Sequence, residues 1–287
     1  MYKIAVGLSQ ILLLVAFSGF AHRAAAQTAS NASAIASIND PRLEPFEVGE
    51  TLVYEGKINR LPFPFAVDIA TLNFTVVKPE SNPSQTNRIF LKAEAISKGS
   101  LLKLFRLSFL QRAESTVDAN NFRALHTLRR DEQNKRIRDG EAKFDYAAKK
   151  VVYREVDPTN PASPPRMITS RLEAPAQDLL SAIYFLRRQT FAVGKSFEIP
   201  VSDSGVVYRV PVKVTARERL KTVLGKVWAW RVEPEVFGEK RMIQDEGKMV
   251  IWLTDDLRRL PVRSLIQTSF GKIEVKLRSA EGLRAAK

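Results

Sequence analysis

The chain has 287 residues, with 45 Lys and Arg against 31 Asp and Glu, two His and no Cys. The lack of cysteine excludes disulfides, thiolate nucleophiles, cysteine zinc sites and a lipid-modified amino-terminal cysteine. The formal charge of +14 would indicate a nucleic-acid partner in a cytosolic protein. The interpretation of this charge therefore depends on the subcellular localisation of the protein.

Residues 1–26 have the pattern of a secretory signal peptide. Lys3 provides a positive start, Ile4 to Ala21 is mostly apolar, and three alanines ending at Ala26 form a small-residue cleavage pattern. The pattern predicts export, cleavage near Ala26 and a periplasmic or envelope-associated protein. An uncleaved membrane anchor is the alternative, because ~18 apolar residues approach the length that spans a bilayer.

Export changes the partners that a basic protein can meet. Outside the cytosol the available polyanions are phospholipid headgroups, lipopolysaccharide phosphates and acidic glycans, so we expect a membrane surface or an anionic envelope polymer and no nucleic acid. A solvated basic surface without a partner is the alternative. The sequence does not identify a protein partner.

Residues 27–45 are rich in Ala, Ser and Asn and contain two prolines, which predicts a flexible lead-in. From Phe46 onward apolar residues recur with period two, so a single β-rich domain is expected over residues 46–280. Strands are predicted at Thr51–Asn59, Ala66–Lys78, Arg88–Ser97, Phe105–Leu110, Phe122–Glu132, Arg136–Tyr146, Lys150–Asp157, Phe197–Ser202, Val206–Arg219, Trp228–Glu233, Lys248–Thr254, Pro261–Ser269 and Ile273–Arg278. The pairs Asp139-Gly140 and Ser204-Gly205 suit hairpin turns.

One segment has helical spacing instead. Pro175 and Asp178 suit the start of a helix, apolar residues follow at helical intervals, and Arg187 suits its last turn. The predicted fold is therefore mainly β: a large curved antiparallel sheet, or an open barrel-like β-roll, with one amphipathic helix packed against it. Two sandwiches joined through the helix are the alternative.

The sequence contains few groups for catalysis. After cleavage His126 is the one histidine, and its alternation with Ala124 and Leu128 places it on a core-facing side of a strand, which favours a structural role. Asp255-Asp256 is interpreted as a turn, because adjacent strand residues point to opposite faces. No phosphate loop, dinucleotide fingerprint or nucleophile elbow occurs in the sequence. We therefore expect no metal and no cofactor. An enzyme, whose activity would have to depend on His126, is the third function considered.

Three stretches together resemble a known family. They are Phe46–Tyr54, Asp178–Arg187 and Trp252–Val262, with Gly271-Lys272-Ile273 following. The chain is similar over about Phe46 to Leu277 to the exported bacterial proteins grouped as domain-of-unknown-function family 3108. The resemblance implies a periplasmic or envelope-associated β-rich protein that folds as one domain. It implies no catalytic residues.

The leading hypothesis is a non-enzymatic protein that binds a lipid or another amphipathic ligand in its curved sheet. Six apolar residues are expected to point inward: Phe105, Leu107, Phe109, Trp228, Trp230 and Trp252. The same residues could instead fill a solid core. The alternative function is assembly, with a polyanionic or protein partner bound through the basic surface or a sheet edge.

Five residues combine a place in the motifs with a polar tip, and they are the candidate ligand-binding residues: Tyr54, Asp178, Tyr184, Arg187 and Trp252. Each also has a structural interpretation. Asp178 is a helix-start residue whose replacement by Ala should cost about 1 kcal/mol. Arg187 is a charge at the helix end, and the aromatic residues belong to the core.

Overall fold

The computed structural model describes residues 44–59, 65–77, 87–98, 108–269 and 271–285. The predicted signal peptide lies outside these ranges, as do Phe105, Leu107 and the lead-in before residue 44. Among the described residues, no helix combines the length and the apolar character needed to cross a membrane.

The described chain forms fifteen strands and one helix. The strands are β1 Thr51–Asn59, β2 Val67–Val77, β3 Arg88–Ser97, β4 Phe109–Asp118, β5 Ala124–Gln133, β6 Arg136–Asp145, β7 Lys150–Val156, β8 Arg166–Arg171, β9 Gln177–Asp178, β10 Ser196–Asp203, β11 Val206–Thr222, β12 Gly225–Pro234, β13 Gly247–Thr254, β14 Pro261–Thr268 and β15 Gly271–Glu281. The helix, α1, runs over Leu179–Arg187.

All the strands belong to one 15-stranded sheet, in the order β8-β7-β6-β5-β4-β3-β2-β1-β15-β14-β13-β12-β11-β10-β9. Neighbours are antiparallel except β9 and β10, which run parallel. The first and the last strand pair with each other in the middle of the sheet. The turn between β10 and β11 packs on β7 and β8, where Gly205 lies against Tyr153 and Ile168. The predicted large curved sheet with one helix is confirmed.

The sheet has an inner face, which α1 covers, and an outer face. Directly paired residues of adjacent antiparallel strands share a face. One row on the inner face comprises Ile251, Ser264, Val275 and Gly56. The neighbouring row on the outer face comprises Trp252, Arg263, Lys276 and Glu55. The main hydrophobic core lies between α1 and the inner face, and a smaller cluster lies near β6 and β7.

One local prediction is wrong, and one strand was not predicted. Asp139-Gly140 is part of β6 and does not form a turn. The Tyr153 ring crosses the strand at Gly140, where a Cβ atom on residue 140 would lie only 2.9 Å from Cε2 of the ring, so this position requires glycine for packing. Strand β8, Arg166–Arg171, is an addition to the predicted elements, and its mostly exposed side chains give no alternation. Ser204-Gly205 does form a hairpin turn, and both residues have positive φ.

The expected inward orientation of His126 is also wrong. The register of β4 with β5 passes from Val117 with Ala124 to Thr116 with His126, so one residue of β5 bulges. A bulge shifts the following side chains to the other face. Leu128 is accordingly exposed, and His126 faces outward with Nε2 2.8 Å from Oε1 of Glu141.

Among the tryptophans, Trp252 departs from the inward set. Its register places it on the outer face, in the row of Arg263, although it is only 6% exposed and belongs to the main core cluster. Trp228 is 47% exposed because it lies on a part of β12 that extends past β13. Trp230 is half-buried against Phe191, and Phe109 packs on the main core.

Candidate functional site

Asp178 begins the helix, as predicted. Its Oδ1 accepts hydrogen bonds from the backbone N–H groups of Leu180 and Ser181, both at 2.9 Å. The Ser181 hydroxyl in turn accepts from the Asp178 N–H at 3.0 Å, which completes a capping box. These bonds satisfy amides that the first helical turn leaves without partners.

The Asp178 carboxylate is also a centre of tertiary contacts. Its Oδ2 accepts from the hydroxyls of Ser115 on β4 and Thr127 on β5, the latter at 3.0 Å. The residue is 4% exposed, and burial raises the pKa of Asp178 although the hydrogen bonds from Ser115 and Thr127 favour the ionised form. Asp178 therefore joins α1 to the β4 and β5 half of the sheet.

At the other end of the helix, Arg187 forms a fully buried ion pair with Glu50. Two parallel bonds join the side chains, with Nη1 2.5 Å from Oε1 and Nη2 2.8 Å from Oε2. Both side chains have 0% exposure. Burial opposes the charge of Arg187, but the hydrogen bonds and charge of Glu50 outweigh it and raise the pKa of the guanidinium.

The remaining Arg187 donors bind backbone carbonyls. Nη2 donates to Pro45 O at 2.9 Å, and Nε donates to Arg258 O at 3.1 Å. The guanidinium carbon lies 5.4 Å from the ring centroids of both Phe46 and Tyr184. The ion pair is thus held by hydrogen bonds in its plane and by two aromatic rings.

The three stretches that carry the family resemblance meet at this ion pair. Glu50 belongs to the opening stretch, Arg187 ends α1, and the turn after β13 supplies the carbonyl of Arg258. Asp256 shapes that turn by accepting from the hydroxyl of Thr254 at 2.7 Å and from the Arg258 N–H at 3.1 Å, so the predicted turn is confirmed. The stretches therefore share one structural role.

A half-enclosed cavity of about 60 Å³ lies beside the ion pair, between α1 and the inner face. Its apolar walls come from strands in the middle of the sheet and from the helix: Leu52, Phe74, Ile183, Met249, Ile251 and Val275. Pro261 and five residues with polar tips complete the wall: Tyr54, Tyr184, Arg187, Arg263 and Ser264.

Two hydroxyls of this wall are buried without hydrogen-bond partners. They are the Tyr184 Oη and the Ser264 Oγ, in residues that are 1% and 8% exposed. A buried hydroxyl without a partner costs about 1–3 kcal/mol, so such groups are rare in native structures and need an explanation. Burial raises the pKa of Tyr184 and of Tyr54 above the ordinary range, so both phenols are neutral at physiological pH.

The structure brings three of the five candidate residues to one place. Tyr54, Tyr184 and Arg187 line the cavity. Asp178 lies at the opposite end of α1. Trp252 lies on the outer face, where its Nε1 donates to Glu218 at 3.1 Å and Arg263 stacks on its ring. The assignment of these residues to ligand binding remains a prediction.

Sequence reasoning did not single out Glu50 or Ser264. Both carried a signal in the pattern. Ser264 is a polar residue between Val262 and Ile266 on the inner side of β14, and Glu50 directly precedes the first strand in a stretch already matched to the family. Ser264 could have been identified as a polar residue at a position where the alternation of β14 calls for an apolar one.

The family assignment follows from sequence comparison. The family model described as "Protein of unknown function (DUF3108)" matches residues 54–278. The chain belongs to the DUF3108 family. No curated protein matches this chain. Within the described residues, no group of three or more His, Cys, Asp or Glu side chains is placed to hold a metal ion.

Comparison with solved structures finds a similar fold for this DUF3108 protein. A β-barrel-like protein of domain of unknown function DUF1849 from Brucella abortus has a TM-score of 0.54 at 11% identity, covering 82% of this chain and 98% of that one. A Bacteroides fragilis protein with a YmcC-like fold, assigned as exported, has a TM-score of 0.37 at 9% identity, covering 83% and 98%. A Parabacteroides distasonis protein assigned as a lipoprotein has a TM-score of 0.31 at 9% identity, covering 83% and 99%. The first of these similarities shows the fold alone.

Proposed function

We propose that this DUF3108 protein is an exported, non-enzymatic binding protein that holds the apolar end of a small amphipathic molecule, such as a lipid, between α1 and the sheet. The observation that carries the proposal is an apolar cavity whose wall contains two buried hydroxyls without partners, those of Tyr184 and Ser264. The signal-peptide pattern of residues 1–26 supports export.

The size of the cavity limits the ligand. Its volume of about 60 Å³ is below the roughly 150 Å³ of an engineered cavity that binds benzene and far below the ~300 Å³ at which drug-sized pockets begin. A whole acyl chain does not fit. The cavity admits the end of a chain, and the rest of the ligand extends through the open side.

The two hydroxyls define the polar part of the ligand. A neutral phenol and a serine hydroxyl both donate and accept, so together they suit a carbonyl, hydroxyl or carboxyl oxygen near the chain end. The charges of Arg187 and Arg263 are already paired with Glu50 and Glu274, so the wall offers no free cation to an anionic headgroup. This arrangement favours a ligand recognised by shape and by one or two oxygen atoms.

The chemistry of the cavity wall supports binding without catalysis. Among its described residues, the serine hydroxyl has no hydrogen-bonded base, because Ser264 Oγ is without a partner. Activation of such a nucleophile requires an adjacent base. His126 lies on the outer face beside Glu141 and does not line the cavity.

The proposal is tested first on the purified protein. Organic extraction followed by mass spectrometry is expected to recover a copurified amphipathic compound. Uptake of cis-parinaric acid, a fluorescent fatty acid, is then titrated at low and high salt. An enclosed chain end should bind with the same affinity at both ionic strengths, because its main contacts are apolar.

Variants locate the binding site. Ser264→Phe fills the cavity and is expected to abolish uptake of the probe, whereas Ser264→Ala keeps the fold and removes one hydroxyl. The control is Leu265→Phe, which places the same phenylalanine side chain on the outer face of the same strand. Equal uptake of the probe by Ser264→Phe and Leu265→Phe would show that the cavity is not the binding site.

A further inference from the structure

Strands β11 and β12 extend beyond the body of the sheet as a two-stranded ribbon. The pairing of β11 with β12 continues as far as Thr222 with Gly225. The pairing of β12 with β13 covers only Ala229 to Val232. Residues 219–228 therefore project past β13. Together with the two residue pairs at the base of this projection they make up residues 217–230, which we call the ribbon.

One face of the ribbon carries cations and aromatic rings. Three directly opposed pairs lie on this face: Arg217 with Trp230, Arg219 with Trp228, and Lys221 with Lys226. The one acidic residue of the ribbon, Glu218, lies on the other face, where it accepts from Trp252. The basic face thus carries four positive charges and no acidic residue of the ribbon itself.

Three of these cations are exposed and form no ion pair with any residue that the structure describes: Arg219, Lys221 and Lys226. Arg217 is different, because it binds Asp255 with Nη2 2.5 Å from Oδ2. The guanidinium of Arg217 also lies 4.6 Å from the centroid of the Trp228 ring. Arg217 therefore fixes the ring, and the other three charges face solvent.

The end of the ribbon is apolar. Val223 at the turn is 54% exposed, and Trp228 is 47% exposed. Trp230 behind them is anchored to the body, since its Nε1 donates to Asp255 Oδ1 at 2.7 Å. Exposed apolar side chains flanked by cations match the interface of an anionic bilayer, where indole rings lie at headgroup depth and cations contact phosphates.

We propose that the ribbon docks the protein on an anionic phospholipid bilayer, with Trp228 and Val223 entering the headgroup region and Arg219, Lys221 and Lys226 contacting lipid phosphates. Charge complementarity selects an anionic surface. The exposed valine at the turn favours a bilayer over a soluble polyanion, because burial of Val223 gains free energy only in an apolar environment.

The test measures co-sedimentation of the purified protein with vesicles of phosphatidylcholine alone and of phosphatidylcholine mixed with phosphatidylglycerol. Binding is expected only to the mixed vesicles. The variant Arg219→Gln/Lys221→Gln/Lys226→Gln should weaken partitioning about 100-fold, since each cation near an anionic surface contributes about fivefold. These side chains point into solvent, so the urea midpoint should not change.

A charge-matched control separates local docking from the overall charge. Lys135→Gln/Lys150→Gln/Arg171→Gln removes three exposed cations at the β5 to β8 end of the sheet. This variant should bind within about threefold of the unmodified protein, because charges beyond a Debye length of about 10 Å are screened. Equal loss in both triple variants would overturn the proposal.

Fluorescence tests the insertion of Trp228. Mixed vesicles should shift the tryptophan emission to the blue, and Trp228→Phe should remove that shift while keeping partitioning. Trp228→Ser should weaken partitioning itself. If heparin or a DNA duplex binds as tightly as the mixed vesicles and no emission shift occurs, the surface recognises soluble polyanions and the bilayer proposal is wrong. Uptake of cis-parinaric acid serves as an independent measure, since the ribbon variants leave the cavity intact.

Discussion

Replacement of Arg187 by Met tests the buried ion pair directly. The methionine keeps apolar contact with Phe46 and Tyr184 but leaves the Glu50 carboxylate at 0% exposure without its cation. The carbonyl oxygens of Pro45 and Arg258 lose their donors at the same time. The variant therefore leaves one charge and two acceptors uncompensated.

The magnitude follows from these groups. Removal of one partner of a buried ion pair costs about 3–5 kcal/mol, because the other charge remains buried. The two carbonyls add about 1 kcal/mol together. The expected loss is about 4–6 kcal/mol, which is a large share of the roughly 5–15 kcal/mol that stabilises a typical domain.

The double variant Arg187→Met/Glu50→Leu separates the unpaired charge from the lost packing. Apolar replacement of both partners removes the buried charge, so at least half of the single-variant loss should be recovered. Without that recovery, the cost of Arg187→Met does not come from an isolated carboxylate.

The assay is urea unfolding followed by far-UV circular dichroism, with the free energy taken from the midpoint and the slope. Arg188→Met is the matched control, since Arg188 is the next residue and pairs with Glu44 at 2.9 Å in a more exposed position. It should cost about 1 kcal/mol or less. Equal costs for Arg187→Met and Arg188→Met would refute the reasoning.

Three further predictions concern the network around Asp178 and the turn at Gly205. Asp178→Ala should cost about 3–5 kcal/mol in urea unfolding, well above the cost of a simple helix cap, because it also leaves the Ser115 and Thr127 hydroxyls without their acceptor. Because burial raises the pKa of Asp178 in the folded state, the contribution of Asp178 to stability should fall as pH rises above the unfolded pKa of about 3.9. In a series of urea midpoints measured against pH, Asp178→Asn should remove this fall. An unchanged slope in the variant would contradict the raised pKa. Gly205→Ala should cost at least about 1 kcal/mol in thermal unfolding, since φ is +84° and the new Cβ would lie 2.6 Å from the Cβ of Tyr153; a neutral result would show that this close approach relaxes freely.

The sequence predicts the architecture well where a strand has one apolar face. β1 and β3 have their predicted bounds, because alternation and flanking turn residues agree there. The helix is equally well defined, since Asp178 and Arg187 mark its start and end. Local patterns of this kind depend on residues close in the chain, so the sequence alone contains them.

Features set by distant residues were not predictable in this way. The bulge near His126 reverses the face of each later residue in β5, and nothing in the alternation marks it. Arg187 was expected at a helix end, but its burial depends on Glu50, which is 137 residues away in the chain. The outward position of Trp252 likewise follows from the register of β13 with β14.

Because β1 pairs with β15, the two halves of the sheet cannot join before β15 has been synthesised. Thr51 pairs with Glu281, so the centre of the sheet joins the two ends of the folded region. Until β15 is synthesised, β1 and β14 each present an open edge, and such edges invite aggregation. A nascent chain of this protein must therefore be kept from pairing with strands of other chains until β15 has left the ribosome. A product truncated before Gly271 lacks the strand that joins the two halves of the sheet.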